Sequence, residues 1–438
     1  MNKNNKRLSK DYYLFQAAFF SSILGARCNQ LAVAWWALSQ INSAAVFASL
    51  IAYASFFEVF SRIIFSSLGD QIDRKLIIII CNSVSAATAL ALIILSIAGI
   101  FDFYLLVFLI VISSIATGVR SPLESSILPM LVKTEQVSEA FRFNKAVYSV
   151  VTLIGPGFAG LLISLYNVQL AFIIDFIFII VACIFVLLIK SNTHPIKNSN
   201  LNNDINKGSK IFIKDWYHKT IYGIRALFYV KPEFYFAILA MLINFALYPF
   251  FMILVPVFIK NHLGLGAWSV GLVDAGFGVG ILLASLFLVK KLSDFFYRDI
   301  IIFIGTLLLG ASLLLSSLLV NPYIIAIVMV IGGAGLMLIN INTTVLRSLA
   351  TPEHYRNRMM AIVSAFSSLS LPLGSYFAGL LLSAVGITYT MEIFGAIIFI
   401  VSFFILILPS LKQVSRLPEC DLKGVYYQIY PKAFKDQL

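Results

Sequence analysis

Charge is scarce in this chain. Of 438 residues only 12% are Asp, Glu, Lys or Arg, about half the share that a water-facing surface of this size requires. Cysteine is scarce too. Cys28, Cys81, Cys183 and Cys420 form no CxxC pair and no framework spacing, which excludes a thiol-rich metal site or a disulfide scaffold. Three of them fall in apolar runs, where a thiol acts as a small hydrophobe. The four histidines read as loop residues, so no His-based catalytic centre is expected among the apolar runs. No nucleophile, His or metal set clusters as a membrane enzyme would need. The 28 residues after position 410 are too few for the output domain of a sensor, and their Tyr426, Tyr427, Tyr430 and Pro431 have no role legible in sequence. No cleavable signal is expected either. The basic start (Lys3, Lys6, Arg7, Lys10) precedes a run of spanning length without a small-residue cleavage site, which reads as an uncleaved first helix.

What is plentiful is apolar surface. The chain is 60% hydrophobic with 38 Phe, and its mean hydropathy is +0.94. Runs of about twenty mainly apolar residues, the length that crosses the hydrocarbon core, lie near 12–39, 44–66, 75–99, 103–128, 143–165 and 168–189. A second set lies near 234–259, 268–289, 300–320, 323–346, 359–385 and 388–410. Backbone groups in lipid must bond within their own segment, and no strand-like alternation is present, so the runs are predicted to be helices. The expected class is an all-α integral membrane protein, with twelve transmembrane helices in two pseudo-symmetric six-helix bundles. The expected division is a bundle over 1–189, a linker over 190–232 with an amphipathic helix, a bundle over 233–410 and a tail over 411–438.

The sign of the charge then orients the chain. Of 32 Lys and Arg, 28 lie in the termini, the linker and the even-numbered junctions, one (Lys260) lies on the other side, and Arg27, Arg62 and Arg120 lie inside runs. Positive charge stays on the cytoplasmic side, so both termini and the linker are expected there. The same distribution accounts for the net charge of +12 without a nucleic-acid partner. The chain also repeats itself. Phe158-Ala159-Gly160-Leu161-Leu162 recurs as Phe377-Ala378-Gly379-Leu380-Leu381, half a chain later. Leu68, Asp70 and Arg74 recur as Leu292, Asp294 and Arg298. Internal repeats of this kind are a common construction of transporters.

Five stretches carry a family resemblance: Ser66-Ser67-Leu68-Gly69-Asp70-Gln71-Ile72-Asp73-Arg74-Lys75 between the second and third runs, Ile127-Leu128-Pro129-Met130-Leu131-Val132 followed by Glu135, Gly155-Pro156-Gly157-Phe158-Ala159-Gly160, Trp216 with Gly223 and Pro232, and Thr351-Pro352-Glu353 with Arg356 and Arg358. In order and spacing over about residues 12–410 the chain resembles the major facilitator superfamily, specifically its drug:proton antiporter branch with macrolide-efflux and enterobactin-export proteins. Ser66 and Gln71 depart from that branch's loop pattern, and Ala159 from its Gly. The resemblance implies a cytoplasmic gate at Asp70, Asp73, Arg74, Lys75, Asp294 and Arg298, and an antiporter motif at Gly155, Pro156 and Gly160. It further implies a central cavity lined by the first, fourth, seventh and tenth helices.

Polar residues at helical spacing fall on those four helices: Arg27 and Gln30; Ser113, Thr117, Arg120 and Glu124; Asn244 and Tyr248; Asn340 and Thr344. A charge at the bilayer centre costs about 2.5–3.5 kcal/mol on insertion scales, so each needs a partner or a cavity. Glu58–Arg62 and Arg120–Glu124 are i,i+4 pairs that can neutralise themselves. Guanidinium at Arg27 and Arg120 favours an anionic substrate. Glu58, Asp175 and Asp274 are candidates for carrying a coupled proton. The expected activity is proton-driven export of a small organic molecule, with a carboxylate-rich siderophore or metallophore favoured over macrolide or multidrug efflux or lysophospholipid flipping. A bacterial plasma membrane, a functional monomer among membrane lipids, and no cofactor beyond the proton gradient complete the expectation.

Overall fold

The computed structural model describes residues 8–41, 43–65, 72–133, 136–191, 193 and 224–434, without the side chains of Ser138, Glu353, His354, Asn357, Glu419 and Cys420. Among them the chain is helical and contains no strand. The first six long helices are α1 (Lys10–Gln40), α2 (Ala44–Ile64), α3 (Arg74–Ile97), α4 (Phe103–Ile127), α5 (Val137–Leu165) and α6 (Val168–Leu187). The second six are α7 (Lys231–His262), α8 (Ala267–Ser293), α9 (Arg298–Ser317), α10 (Pro322–Ala350), α11 (Glu353–Val385) and α12 (Ile387–Ile407). Three short helices follow: α13 (Pro409–Ser415), α14 (Glu419–Leu422) and α15 (Val425–Ile429).

Local chemistry explains where these helices start. Ser9, Ser43, Asp73, Asp102, Asn167 and Asn321 each accept a backbone N–H of the helix they precede. That satisfies one of the four donors a helix start leaves open. Proline shapes two interiors. Pro249 and Pro256 remove ladder donors in α7, and π-helical turns over Phe250–Leu254 and Phe258–His262 follow them directly. Pro156 and Pro372 lie inside α5 and α11.

Eleven of the helices are long and apolar enough to cross a membrane; α1 is the exception. Its 31 residues include Gln16, Arg27, Asn29 and Gln30, and most of its length is buried against α5 and α6. A helix surrounded by protein does not need the hydropathy of one that faces lipid. Two boundaries also move. α5 begins at Val137 and α11 at Glu353, six residues ahead of the apolar runs, because their first turns are polar and hydropathy cannot register them. His262 and His354, read as loop residues, lie in terminal turns of α7 and α11. The amphipathic stretch expected in the linker falls outside the described residues as far as position 223, and 224–229 is helical.

The helices form two compact units. The first comprises residues 1–196, 251–278 and 375–387, and the second 197–250, 279–374 and 388–438. The first unit therefore includes one end each of α7, α8 and α11 beside α1 to α6. Its core at the end nearest the linker joins Tyr12 and Phe15 of α1, Ile77 and Ile78 of α3, Leu123 and Ile127 of α4 and Val186 of α6. Asp11 fastens the exit of α6 to the start of α1. It accepts from the Ser191 amide at 2.7 Å and the Lys190 amide at 3.2 Å.

Candidate functional site

In the first unit, α1, α2, α5, α7 and α8 enclose a cavity of about 40 Å³ between Arg27, Gln30, Pro156, Met252 and Asp274. Arg27 donates to Gln30 Oε1 at 3.1 Å, and the Gln30 amide in turn meets the Met252 sulfur. Gly155 is the reason Arg27 fits. A methyl group there would lie 2.9 Å from Arg27 Cγ. Across the cavity, Asp274 Oδ1 is buried and has no hydrogen-bond partner among the described residues. Arg27 and Asp274 thus share one small space without a direct ion pair, and both were legible as separate candidates in sequence.

The other intramembrane charges of this unit are engaged. Arg120 is 8% exposed, donates to Asn82 Oδ1 at 2.7 Å and pairs with Glu124 at 3.3 Å. Glu58 and Arg62 form their i,i+4 pair. Asp175, 2% exposed, accepts from Asn29 Nδ2 at 2.6 Å, in the α1–α6 seam where Gly25 makes room for it. Ser113 takes the Thr117 hydroxyl on its carbonyl at 3.0 Å. Of the three proton-coupling candidates, Asp274 has a buried oxygen left unpartnered, while Glu58 and Asp175 each hold a partner.

In the second unit, α7, α10 and α11 enclose a cavity of about 310 Å³. Asn244, Asn340, Thr343, Thr344, Arg347, Ser364 and Ser367 give it a polar lining, with Phe236, Leu239 and Ile243 as apolar wall. Its volume falls in the range of small-molecule sites, about 300–1,000 Å³. Asn244 Nδ2 donates to Ala240 O at 3.0 Å, which leaves its carbonyl oxygen to the cavity. Tyr248, expected beside Asn244, does not line this cavity. Arg347 closes one end. Its Nε lies 2.6 Å from Glu233 Oε2, and Glu233 is fully buried. Glu233 gave no sequence signal, because an acid in a helix's first turn reads as an ordinary complement to the helix dipole.

The gate residues hold helix ends. Asp73 caps α3, accepts from the Lys75 amide at 3.0 Å, and takes the Thr193 hydroxyl. Arg74 donates to Ser126 O at 2.9 Å, near the C-terminus of α4. Lys75 donates to Leu187 O at 2.9 Å and Ile189 O at 2.6 Å, at the end of α6. Cations at helix C-termini complement the open carbonyls there. Asp70 lies outside the described residues. Asp294 is exposed, and Arg298 donates to Leu417 O at 3.2 Å.

At the ends of α5 and α8 away from the linker, small residues let backbones touch. A methyl on Gly160 would lie 2.8 Å from Ala267 O and 3.2 Å from Gly271 Cα. On α11, a methyl on Gly379, in the recurring Phe-Ala-Gly-Leu-Leu, would lie 3.2 Å from Ala48 Cβ of α2. A lysine joins α7 to α1 at the same ends: Lys260 Nζ donates to Trp35 O at 2.9 Å and lies 4.8 Å from the Trp35 ring centroid. The sequence marked Lys260 as exceptional by its side of the chain but not by its partner.

Eleven membrane-length helices enclosing buried polar cavities define the class: a multi-pass membrane transporter. Residues 10–423 match the family described as transmembrane secretion effector, and the chain belongs to that family, within the major facilitator superfamily. Among characterised proteins it is similar to macrolide efflux protein A of Streptococcus pyogenes, with 22% identity over 425 residues, 96% of this chain and 99% of the relative. A protein of the same name from Enterococcus faecalis is 23% identical over 310 residues, 70% of this chain and 92% of the relative. Among solved structures, a bacterial homologue of the human lysosomal transporter Spinster, inward-facing and unoccupied, superposes with a TM-score of 0.70 at 14% identity, over 94% of this chain and 99% of that one. A D-xylose–proton symporter superposes with a TM-score of 0.66 at 14% identity, over 94% and 99% of the two chains. The chain is accordingly a secondary transporter of the major facilitator superfamily with bacterial efflux relatives.

Proposed function

We propose that this transporter exports macrolide-type molecules, uncharged at the point of contact and rich in oxygen acceptors, in exchange for protons. The observation that carries this reading is the compensation of charge in both cavities. Arg347 is held by Glu233, and Arg27 shares its space with Asp274, so neither cavity offers an unopposed cation to a free anion. The amides and hydroxyls of Asn244, Asn340, Thr343, Thr344, Ser364 and Ser367 suit lactone, ether and hydroxyl oxygens instead. The end-to-end likeness to macrolide efflux proteins supports the same class. The siderophore reading favoured from sequence is set aside, because one of the two arginines that motivated it, Arg120, is occupied by Glu124 and Asn82.

In this reading α1 is a twelfth span, and the helices work as two related sets of six with termini and linker in the cytoplasm. The reciprocal crossings of Gly160 on α8 and Gly379 on α2 support the duplication, since related halves meet each other's counterpart helices. Those crossings and the Lys260–Trp35 contact close the side away from the linker. They separate and re-form as access alternates. Asp274 takes up the proton that drives the cycle, because its unpartnered oxygen has room to bind one beside Arg27.

The test is uptake of a labelled macrolide into inside-out membrane vesicles containing the full chain. With the interior acidified, uptake rises above that of empty-vector vesicles, and a protonophore abolishes the difference. Uptake that ignores the gradient overturns proton coupling, and no uptake of any macrolide overturns the substrate class.

A further inference from the structure

The segment after α12 reaches the second-unit cavity through a chain of side chains. Three anchors hold it. Arg416 donates to the fully buried Asp299 at 3.0 Å, the Gly424 amide donates to Leu349 O at 2.9 Å, and Phe434 meets the Tyr355 ring edge-on at 5.1 Å. Gly424 sits at φ +70°, a backbone conformation that favours glycine, and this turn presents α15 to the helices above it. α15 then places Tyr426, which is fully buried, with its hydroxyl 3.1 Å from Glu233 Oε1. The other oxygen of Glu233 holds Arg347 Nε. The Arg347 side chain, 11% exposed, lines the 310 Å³ cavity.

We infer that Tyr426 is a positioning residue for Arg347, acting through Glu233, and that the C-terminal segment is thereby part of the substrate-recognition apparatus. The geometry divides the labour. Glu233 has two carboxylate oxygens, and each has one partner. The tyrosine fixes one oxygen, which sets the plane of the carboxylate and so the angle at which the guanidinium is held. With Nε engaged by Glu233, the rest of the guanidinium is left to donate to an acceptor oxygen of a substrate in the cavity. Burial, and then the neighbouring Glu233, push the Tyr426 hydroxyl well above its ordinary value, so it keeps its proton and acts as donor. A phenylalanine at this position keeps the packing and removes the donor alone.

This inference rests on the reading that the second-unit cavity binds substrate, and the experiment separates the two. Full-length Tyr426→Phe, Tyr427→Phe and Glu233→Gln proteins are purified into liposomes. Arg347 is first labelled without substrate by an arginine-selective dicarbonyl, with its rate followed by mass spectrometry against Arg27 in the same molecule. Macrolide transport is then measured as KM and kcat. Tyr426→Phe is expected to change Arg347 labelling and to raise KM by about fivefold each, the size of one typical hydrogen bond, with kcat within twofold. Glu233→Gln moves KM the same way, and adding Tyr426→Phe to it has little further effect. The exposed neighbour Tyr427 serves as control, and its Phe variant changes neither quantity. Unchanged Arg347 labelling in Tyr426→Phe overturns the positioning role. A wild-type protein that moves no macrolide overturns the substrate reading instead, and the labelling still decides this one.

Discussion

Two cavities, one in each unit, each bring one arginine near one acid, yet the two pairs are built differently. In the second unit the pair is bolted. Glu233 is fully buried with both oxygens engaged, by Arg347 at 2.6 Å and Tyr426 at 3.1 Å. In the first unit it is loose. Arg27 donates to Gln30, and Asp274 keeps one buried oxygen without a partner. A buried polar atom left unsatisfied costs about 1–3 kcal/mol, which distinguishes the Asp274 oxygen from the engaged oxygens of Glu233. The difference teaches that counting intramembrane charges does not locate function; what each charge is bonded to does. In the proposed function the bolted pair holds a donor steady for the substrate, and the loose pair binds and releases the proton.

Two changes sharpen that contrast. The larger effect belongs to Gly155→Val. Its side chain would occupy the space of Arg27 Cγ and Cβ, and overpacking of this kind costs about 1–3 kcal/mol. Gradient-driven macrolide uptake per molecule is expected to drop at least about tenfold, with the amount of protein in the membrane measured alongside by immunoblot. The smaller effect belongs to Asn340→Leu in the second cavity. It removes one polar partner facing the substrate, so KM rises about threefold to tenfold, while the dependence of uptake on imposed pH keeps its shape. If Asn340→Leu altered the pH dependence and Gly155→Val altered only KM, the assignment of roles to the two cavities would be reversed.

Much of this architecture was legible because hydrocarbon imposes a simple length and hydropathy rule on helices. The rule fails at α1, whose polar residues face protein, and at the first turns of α5 and α11. The site was legible in parts. The i,i+4 spacing of Arg120 and Glu124 foretells that they pair, and that spacing alone weakens the anion argument. Gly155 and Pro156 were visible as a motif, but nothing in the sequence says that Gly155 seats Arg27, since that contact spans 128 positions. Asp274 stood out as a charge in an apolar run. Its sharing a space with Arg27 depends on α8 and α1 meeting, and no local pattern encodes it. Glu233 gave no signal, and Tyr426 stood out in the tail without a role. An acid at a helix start and a tyrosine in a short tail each have ordinary explanations, and only their meeting, 193 residues apart in sequence, makes them a site.

The central claim is that the loose pair carries the proton and the bolted pair carries the substrate. It is tested most directly by Asp274→Asn, in liposomes, with two assays on one preparation. Macrolide counterflow, which needs binding and alternation but no proton, is expected to persist within about threefold of wild type, while uptake driven by an imposed pH gradient falls to the level of empty liposomes. Full gradient-driven uptake by Asp274→Asn would contradict the account.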